Sequence, residues 1–281
     1  MFQMAKDAPL IIAANRDERL DRPAVPMTVL RDREPRILGG RDLLAGGTWL
    51  AVNEHGVVAG LTNQPSAYGR DPTKRSRGEL PLAFAAHQSA AEAVDSVVPG
   101  LDPARYNPCW MLVGDRETLF SIGLAAGSKP ELEQLGPGLH VLENAPLRPG
   151  SAKAAFVREL IGALLGGGLG GSSPRLAAAE SAAAGDRPDG RDLDARLAGA
   201  VLETVLGDHR PAITQARTDD TGRIWPPALS AACVHAEGYG TRSAMTVSVP
   251  AAGLPSIRVG DGPPCETPLH DVTSAWAEPR C

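Results

Sequence analysis

The segment Ala13-Ala14-Asn15-Arg16-Asp17-Glu18 sets four polar residues directly behind the apolar run Leu10–Ile12. An amide, a guanidinium and two carboxylates at the end of a buried strand would stand at a sheet rim, where sites are commonly built. Arg16 supplies a rigid five-donor fork, and Asp17 can orient an amine or an imidazole. The same residues also fit a plain structural reading, an Asn turn with Arg16 or Arg19 paired to Asp21.

Three other segments carry possible chemistry. Ala45-Gly46-Gly47-Thr48-Trp49 is followed by a strand pattern and no Lys-Ser/Thr, so it is not a phosphate cradle. Its glycines predict close backbone approach at a sheet corner, with Trp49 packed beneath. Asn63 ends a strand at Thr62-Asn63, where its amide could donate to a developing oxyanion or simply form a turn. Arg242, in Tyr239-Gly240-Thr241-Arg242-Ser243, stands at a strand entrance and could hold a carboxylate, stack on an aromatic ligand, or lie on the surface of a hairpin turn.

The four cysteines are scattered and the six histidines share no metal-ligand spacing, which predicts no metal site and fits a reducing, cytoplasmic setting. No Gly-x-Ser-x-Gly elbow and no Cys-x-x-Cys-His occur, so neither a serine-hydrolase turn nor a haem attachment is legible. No cofactor is expected.

These groups need elements to position them. A chain of 281 residues can bury roughly 70–75% of the surface that it exposes when unfolded. Its net charge of −5 offers no basic field for nucleic acid, and no apolar run approaches the roughly 20 residues that span a bilayer. The opening Met-Phe-Gln-Met-Ala-Lys-Asp lacks a signal-peptide pattern.

Strand-length apolar runs at 10–14, 48–53, 57–62, 109–113, 119–122, 141–143, 232–235, 244–249 and 257–259 are bounded by turn residues. Asn53 to Gly56 reads as the turn of a hairpin from Trp49 to Thr62. Helical patterns cover 79–88, 90–98 with a Ser89-x-x-Glu92 capping box, a stretch capped by Ser151, and 192–206. Residues 166–191 are rich in Gly, Ala, Ser and Pro and predict a flexible insertion within one domain, 1–281. Strands, helices and strands again predict an α+β domain of antiparallel sheets covered by helices.

Taken in order, Asn15-Arg16-Asp17-Glu18, Arg22-Pro23, Gly46-Gly47-Thr48-Trp49-Leu50, Thr62-Asn63, Arg77-Gly78-Glu79, Asn144-Ala145-Pro146 and Tyr239-Gly240-Thr241-Arg242-Ser243 resemble the NRDE family, also called the transport and Golgi organisation family. The resemblance runs from about Asp7 to Val249. It implies a fold of the N-terminal-nucleophile (Ntn) hydrolase type, a four-layer αββα sandwich. It further implies hydrolysis of an amide C–N bond by an N-terminal Cys whose own amine is the general base. Asp17 would orient that nucleophile, and Asn63 and Asn144 would form the oxyanion hole or hold the amide. Asn15, Arg16, Trp49 and Arg242 would line the substrate site.

Here the sequence departs from the pattern, because residue 2 is Phe2. The favoured reading is a start at an internal Met with loss of a Cys-bearing strand. The alternative is a member without the nucleophile. A non-catalytic carrier of a small ligand, haem or an acyl lipid, is the competing function that the resemblance implies.

Overall fold

The computed structural model describes residues 1–65, 69–125, 129–148, 150–166, 194–218 and 224–277. All but the first residue of the expected 166–191 insertion lies outside them. The strands in chain order are β1 (Leu10–Arg19), β2 (Ala24–Arg31), β3 (Ile37–Asp42), β4 (Leu50–Asn53), β5 (Val58–Asn63), β6 (Cys109–Gly114), β7 (Leu119–Leu124), β8 (Glu131–Gln134), β9 (Arg217–Thr218), β10 (Ile224–Trp225), β11 (His235–Ala236), β12 (Tyr239–Val249), β13 (Ser256–Gly260) and β14 (His270–Asp271). The helices are α1 (Glu79–Phe84), α2 (Ala90–Val97), α3 (Ala152–Leu165) and α4 (Ala195–Leu206).

Strands β2 to β8 form one seven-stranded antiparallel meander, and β1-β12-β13-β14 with β11 on β12 form a second antiparallel sheet. Side chains alternate across each strand, so each sheet has two faces to bury. On β1, Leu10 and Ile12 join Met245, Val247 and Val249 against Leu38, Leu50, Val52 and Val58 of the meander. Ile11 and Ala13 point the other way, into a cluster with Leu160 and Ile161 of α3 and Val201 and Val205 of α4. The outer face of the meander, with Ala59, Met111 and Ile122, is covered by Leu80 and Phe84 of α1 and Ala93 and Val94 of α2. The result is the layered α+β architecture expected from the sequence, helices–sheet–sheet–helices. Each fully buried Leu, Ile or Phe adds about 1.5–3 kcal/mol to the transfer free energy of these layers.

Local signals explain most element ends. Ser89 and Ser151 accept hydrogen bonds from the Glu92 and Ala154 amides and start α2 and α3. The Glu92 carboxylate turns back to the Gln88 amide at 3.0 Å and also takes a weaker backbone hydrogen bond from Ser89, which completes the expected box. Gly56, at φ +92°, closes the β4–β5 turn onto the Asn53 carbonyl at 3.0 Å.

Other expectations need correcting. Residues 141–143 are loop, since the Glu143 carbonyl accepts from the Thr62 hydroxyl instead of a ladder partner. Strands β2 and β3 carry no clean alternation (β3 contains Gly39-Gly40) and are not legible in the sequence. The exposed strand β8 is masked by its edge charges Glu131 and Glu133. Phe2 makes isolated bridges to Leu10 and Gly138, and Gln3 turns at φ 50°.

Candidate functional site

Residues 15–18 lie on the second half of β1. The ladder sets Arg16 opposite Ser243 and Asp17 opposite Thr241, which leaves Arg242 as an extra residue on β12, a β-bulge. Because the extra residue is on β12, alternation along β1 is unbroken. Asn15 and Asp17 therefore face the α3/α4 layer, and Arg16 and Glu18 face the meander.

On the helical side, Asn15 donates both amide hydrogens to backbone carbonyls, Leu206 at the end of α4 and Ala232, each at 2.8 Å. It is a framework contact, tying β1 to two chain turns. Asp17 accepts the Thr241 hydroxyl at 2.6 Å and faces Lys153 Nζ at 3.7 Å. These two side chains are only 22% and 17% exposed. Burial raises the Asp17 carboxyl above its ordinary range, against the Lys153 charge and the Thr241 hydrogen bond, which both lower it.

Lys153 is a residue that the sequence reasoning missed, and a signal for it existed. It occupies the first turn of α3, two residues after the Ser151 cap, where the helix dipole disfavours a cation. Asp17 and Glu143 supply the compensating negative charge. Glu143 is itself pushed upward by burial, with Lys153 and then Arg217 opposing.

Asn63 and Asn144 are both exposed. Their segments meet through the 2.7 Å bond from the Thr62 hydroxyl to the Glu143 carbonyl. Thus the chain segments of Asp17, Lys153, Glu143 and Asn63 converge on one rim.

Arg16 belongs to the other side. It is buried, and its guanidinium lies 4.6 Å from the Trp49 ring centre in a cation–π stack. Burial lowers its pKa, opposed by the Glu18 and Asp42 carboxylates. Its Nη1 is buried with no hydrogen-bond partner among the described residues. Beside it, Arg22 pairs with Asp42 at 2.7 Å and Glu18 at 3.5 Å.

Trp49 packs against Gly40, where a Cβ would come within 2.0 Å of the indole. The close backbone approach expected of the Gly46-Gly47 pair is present at Gly47, against Gly78, whereas Trp49 lies against Gly40. Gly47, at φ +79°, lets the chain approach Gly78, and Thr48 donates to the Gly78 carbonyl at 2.9 Å. The glycine-rich entry and the Arg77-Gly78-Glu79 segment are therefore one junction.

Arg242 donates to the carbonyls of Arg19, Leu20 and Arg22 at 3.0, 2.6 and 3.1 Å. It ties down the turn after β1. The plain reading of Arg19 also holds, with a 2.5 Å pair to Asp21. Next to Arg242, an open cleft of about 580 Å³ is lined by Leu20, His235, Tyr239, Thr241 and Pro263.

Cys109 pairs across the ladder with Asn63, but its thiol is buried among the α1/α2 contacts and burial pushes it up to about 12. A thiol so placed is a packing group. Among the described residues, no helix is long and apolar enough to cross a membrane.

The family model described as Transport and Golgi organisation 2 matches residues 1–256. The chain is 29% identical over 259 residues to the Transport and Golgi organization protein 2 homolog of Homo sapiens, covering 87% of this chain and 83% of that protein. The Mus musculus homolog is 28% identical over 256 residues, with the same coverage. Among solved structures, a mutant of the conjugated bile acid hydrolase from Clostridium perfringens aligns over 94% of this chain and 89% of its own, at 10% identity and a TM-score of 0.47. A second variant of that hydrolase aligns at 13% identity and a TM-score of 0.46, over 94% and 84%. From the family match over nearly its whole length, the chain belongs to the Transport and Golgi organisation 2 family.

Proposed function

We propose that the rim around Asp17 is a small-molecule site of the amide-hydrolase kind, able to hold and polarise an amide group. The observation that carries this reading is the half-buried Asp17–Lys153 pair, locked by Thr241 and set beside the Thr62–Glu143 junction. In such a site Asp17 orients the attacking group, and Lys153 holds the carboxylate in its charged form. The exposed amides of Asn63 and Asn144 are the donors for the carbonyl oxygen, where negative charge develops on attack.

The Cys109 thiol does not complete this machinery. Cys109 is buried and neutral, and Phe2 packs in the core between the sheets. For the chain as it stands, the reading is binding and polarisation without an acyl-enzyme intermediate. Thermal-shift and turnover assays on a panel of N-acyl amino acids and primary amides test it. The expected result is stabilisation by one class of amide, lost in Asp17→Asn, with no burst of product. No stabilisation by any amide would overturn the reading, and a burst would overturn its non-covalent part.

A second reading, a carrier for haem or an acyl lipid, is favoured by the buried Nη1 of Arg16, which has no hydrogen-bond partner among the described residues while the guanidinium stacks on Trp49. That donor suits a carboxylate or phosphate carried by an otherwise apolar ligand. Titration with haemin tests it, and an unshifted Soret band at micromolar haemin would count against it.

A further inference from the structure

Three soft or borderline donors converge at the far end of the β11–β12 hairpin. Cys233 Sγ lies 3.6 Å from Cys265 Sγ and 3.6 Å from His235 Nε2, and His235 Nε2 lies 3.1 Å from Cys265 Sγ. All three ligand atoms fall within 4.8 Å of one another. Around a tetrahedral zinc, with Zn–S near 2.3 Å and Zn–N near 2.0–2.1 Å, donor atoms are separated by about 3.5–3.8 Å. Two of the three edges have that length, and the third needs to open by roughly half an ångström.

The fold builds this triangle from three separate signals. Cys233 lies in the bend that leads into β11, which begins at His235, and this bend turns the Cys233 sulfur to 3.6 Å from His235 Nε2. The segment leading into β11 is pinned on both sides: the Cys233 amide donates to the Asp208 carbonyl at 2.8 Å, and the Val234 amide donates to the Thr241 hydroxyl at 2.8 Å. Cys265 arrives on the turn 263–267, where the Glu266 and Thr267 amides close onto the Pro263 carbonyl. That turn packs on Gly207 at the end of α4, where a Cβ would meet the Cys265 backbone at 3.4 Å. The Cys265 backbone amide also hydrogen-bonds the Cys233 sulfur, a contact of the kind that orients and stabilises thiolate ligands. Cys233 is buried, Cys265 half-buried and His235 exposed, so a fourth position is open to water on the His235 side. His209 stands edge-on to the His235 ring at 6.2 Å between ring centres, a further imidazole beside the triad.

We propose that Cys233, His235 and Cys265 form a zinc-binding site that clamps the β11–β12 hairpin to the 263–267 turn and the end of α4. Spacing along the chain hides it, because Cys265 is 32 residues from Cys233 and the donors meet only through the fold. The clamp is distinct from the Asp17 rim but mechanically joined to it. Thr241, the residue that holds the Val234 amide, is also the residue that donates to Asp17.

The test uses the full chain, purified with a phosphine reductant, stripped with chelator and titrated with Zn²⁺ against a chromophoric competitor. The expected result is one zinc per chain with a rise in Tm. Cys265→Ser and His235→Gln should each weaken binding by roughly tenfold or more and abolish the rise in Tm. Cobalt(II) in place of zinc should give a thiolate-to-metal charge-transfer band in the wild-type protein, which decides the matter even if a variant fails to fold. Absence of that band, zinc retention unchanged in the Cys265→Ser/His235→Gln double variant, or a Cys233–Cys265 disulfide in the protein isolated without reductant would each overturn the proposal.

Discussion

Thr241 donates its hydroxyl to Asp17 at 2.6 Å while accepting the Val234 amide at 2.8 Å. One side chain therefore fixes both the candidate carboxylate and the segment between Cys233 and His235. Thr241→Val keeps the shape and removes both bonds. The buried Val234 amide would lose its partner, a loss of about 1–3 kcal/mol. Chemical denaturation should show that loss, and carbon-detected NMR titration should show the Asp17 carboxyl moving further up, since the lost hydrogen bond was one that lowered it.

Asp17 itself sets a pH dependence. Its folded pKa is raised, so between the unfolded value, near 3.9, and the higher folded value the native state binds more protons than the unfolded state. Stability from this group is greatest below the unfolded pKa and falls as pH rises through that window. Asp17→Asn should flatten the fall and leave the protein more stable at pH 7 than wild type, while weakening any amide ligand. Denaturant midpoints between pH 3 and pH 7 check the sign; a variant less stable than wild type at pH 7 would contradict it.

Gly40 is the support of the Arg16–Trp49 stack. A methyl group there would meet the indole at 2.0 Å and push Trp49 out of place. Gly40→Ala should destabilise the fold by about 1–3 kcal/mol through overpacking. Tryptophan fluorescence should report the displaced ring, and anionic ligands should bind more weakly.

Asn15 and the pair Asn63 and Asn144 should separate cleanly. Asn15→Ala leaves two backbone carbonyls, those of Leu206 and Ala232, without their donors, and should cost about 1–3 kcal/mol. Asn63→Ala and Asn144→Ala change exposed side chains, so stability should stay within about 0.5 kcal/mol. Only the latter two should reduce amide binding, as read by calorimetry.

How much of this is legible in the sequence depends on where each signal resides. The four-layer fold is readable because β1, β5, β6, β7 and β12 carry apolar runs bounded by turns, and α2 and α3 carry Ser caps. Strand β3 escapes because Gly39 and Gly40 interrupt its pattern, β2 because it carries no clean alternation, and Val141-Leu142 mimic the start of a strand in what is a loop. In the site, the motif around Asp17 is visible as a run of polar residues. What those residues touch is not: Lys153 and Glu143 reach Asp17 and Thr62 only through long-range packing, and Arg242 turns to carbonyls that no local spacing announces. Cys265 lies in a turn without any metal-ligand pattern of its own, so only the fold brings it to Cys233 and His235.

The alternation along β1 has one more result. Arg16 and Asp17 are neighbours in sequence, yet they open onto opposite sides of the same strand, one towards Trp49 and the other towards Lys153. A compact molecule can touch either but not both. A guest that grips the guanidinium with an anionic end and offers its amide to the carboxylate has to be long enough to hook around the tip of the strand, and trimming it from either end should free the corresponding residue from any influence on its affinity.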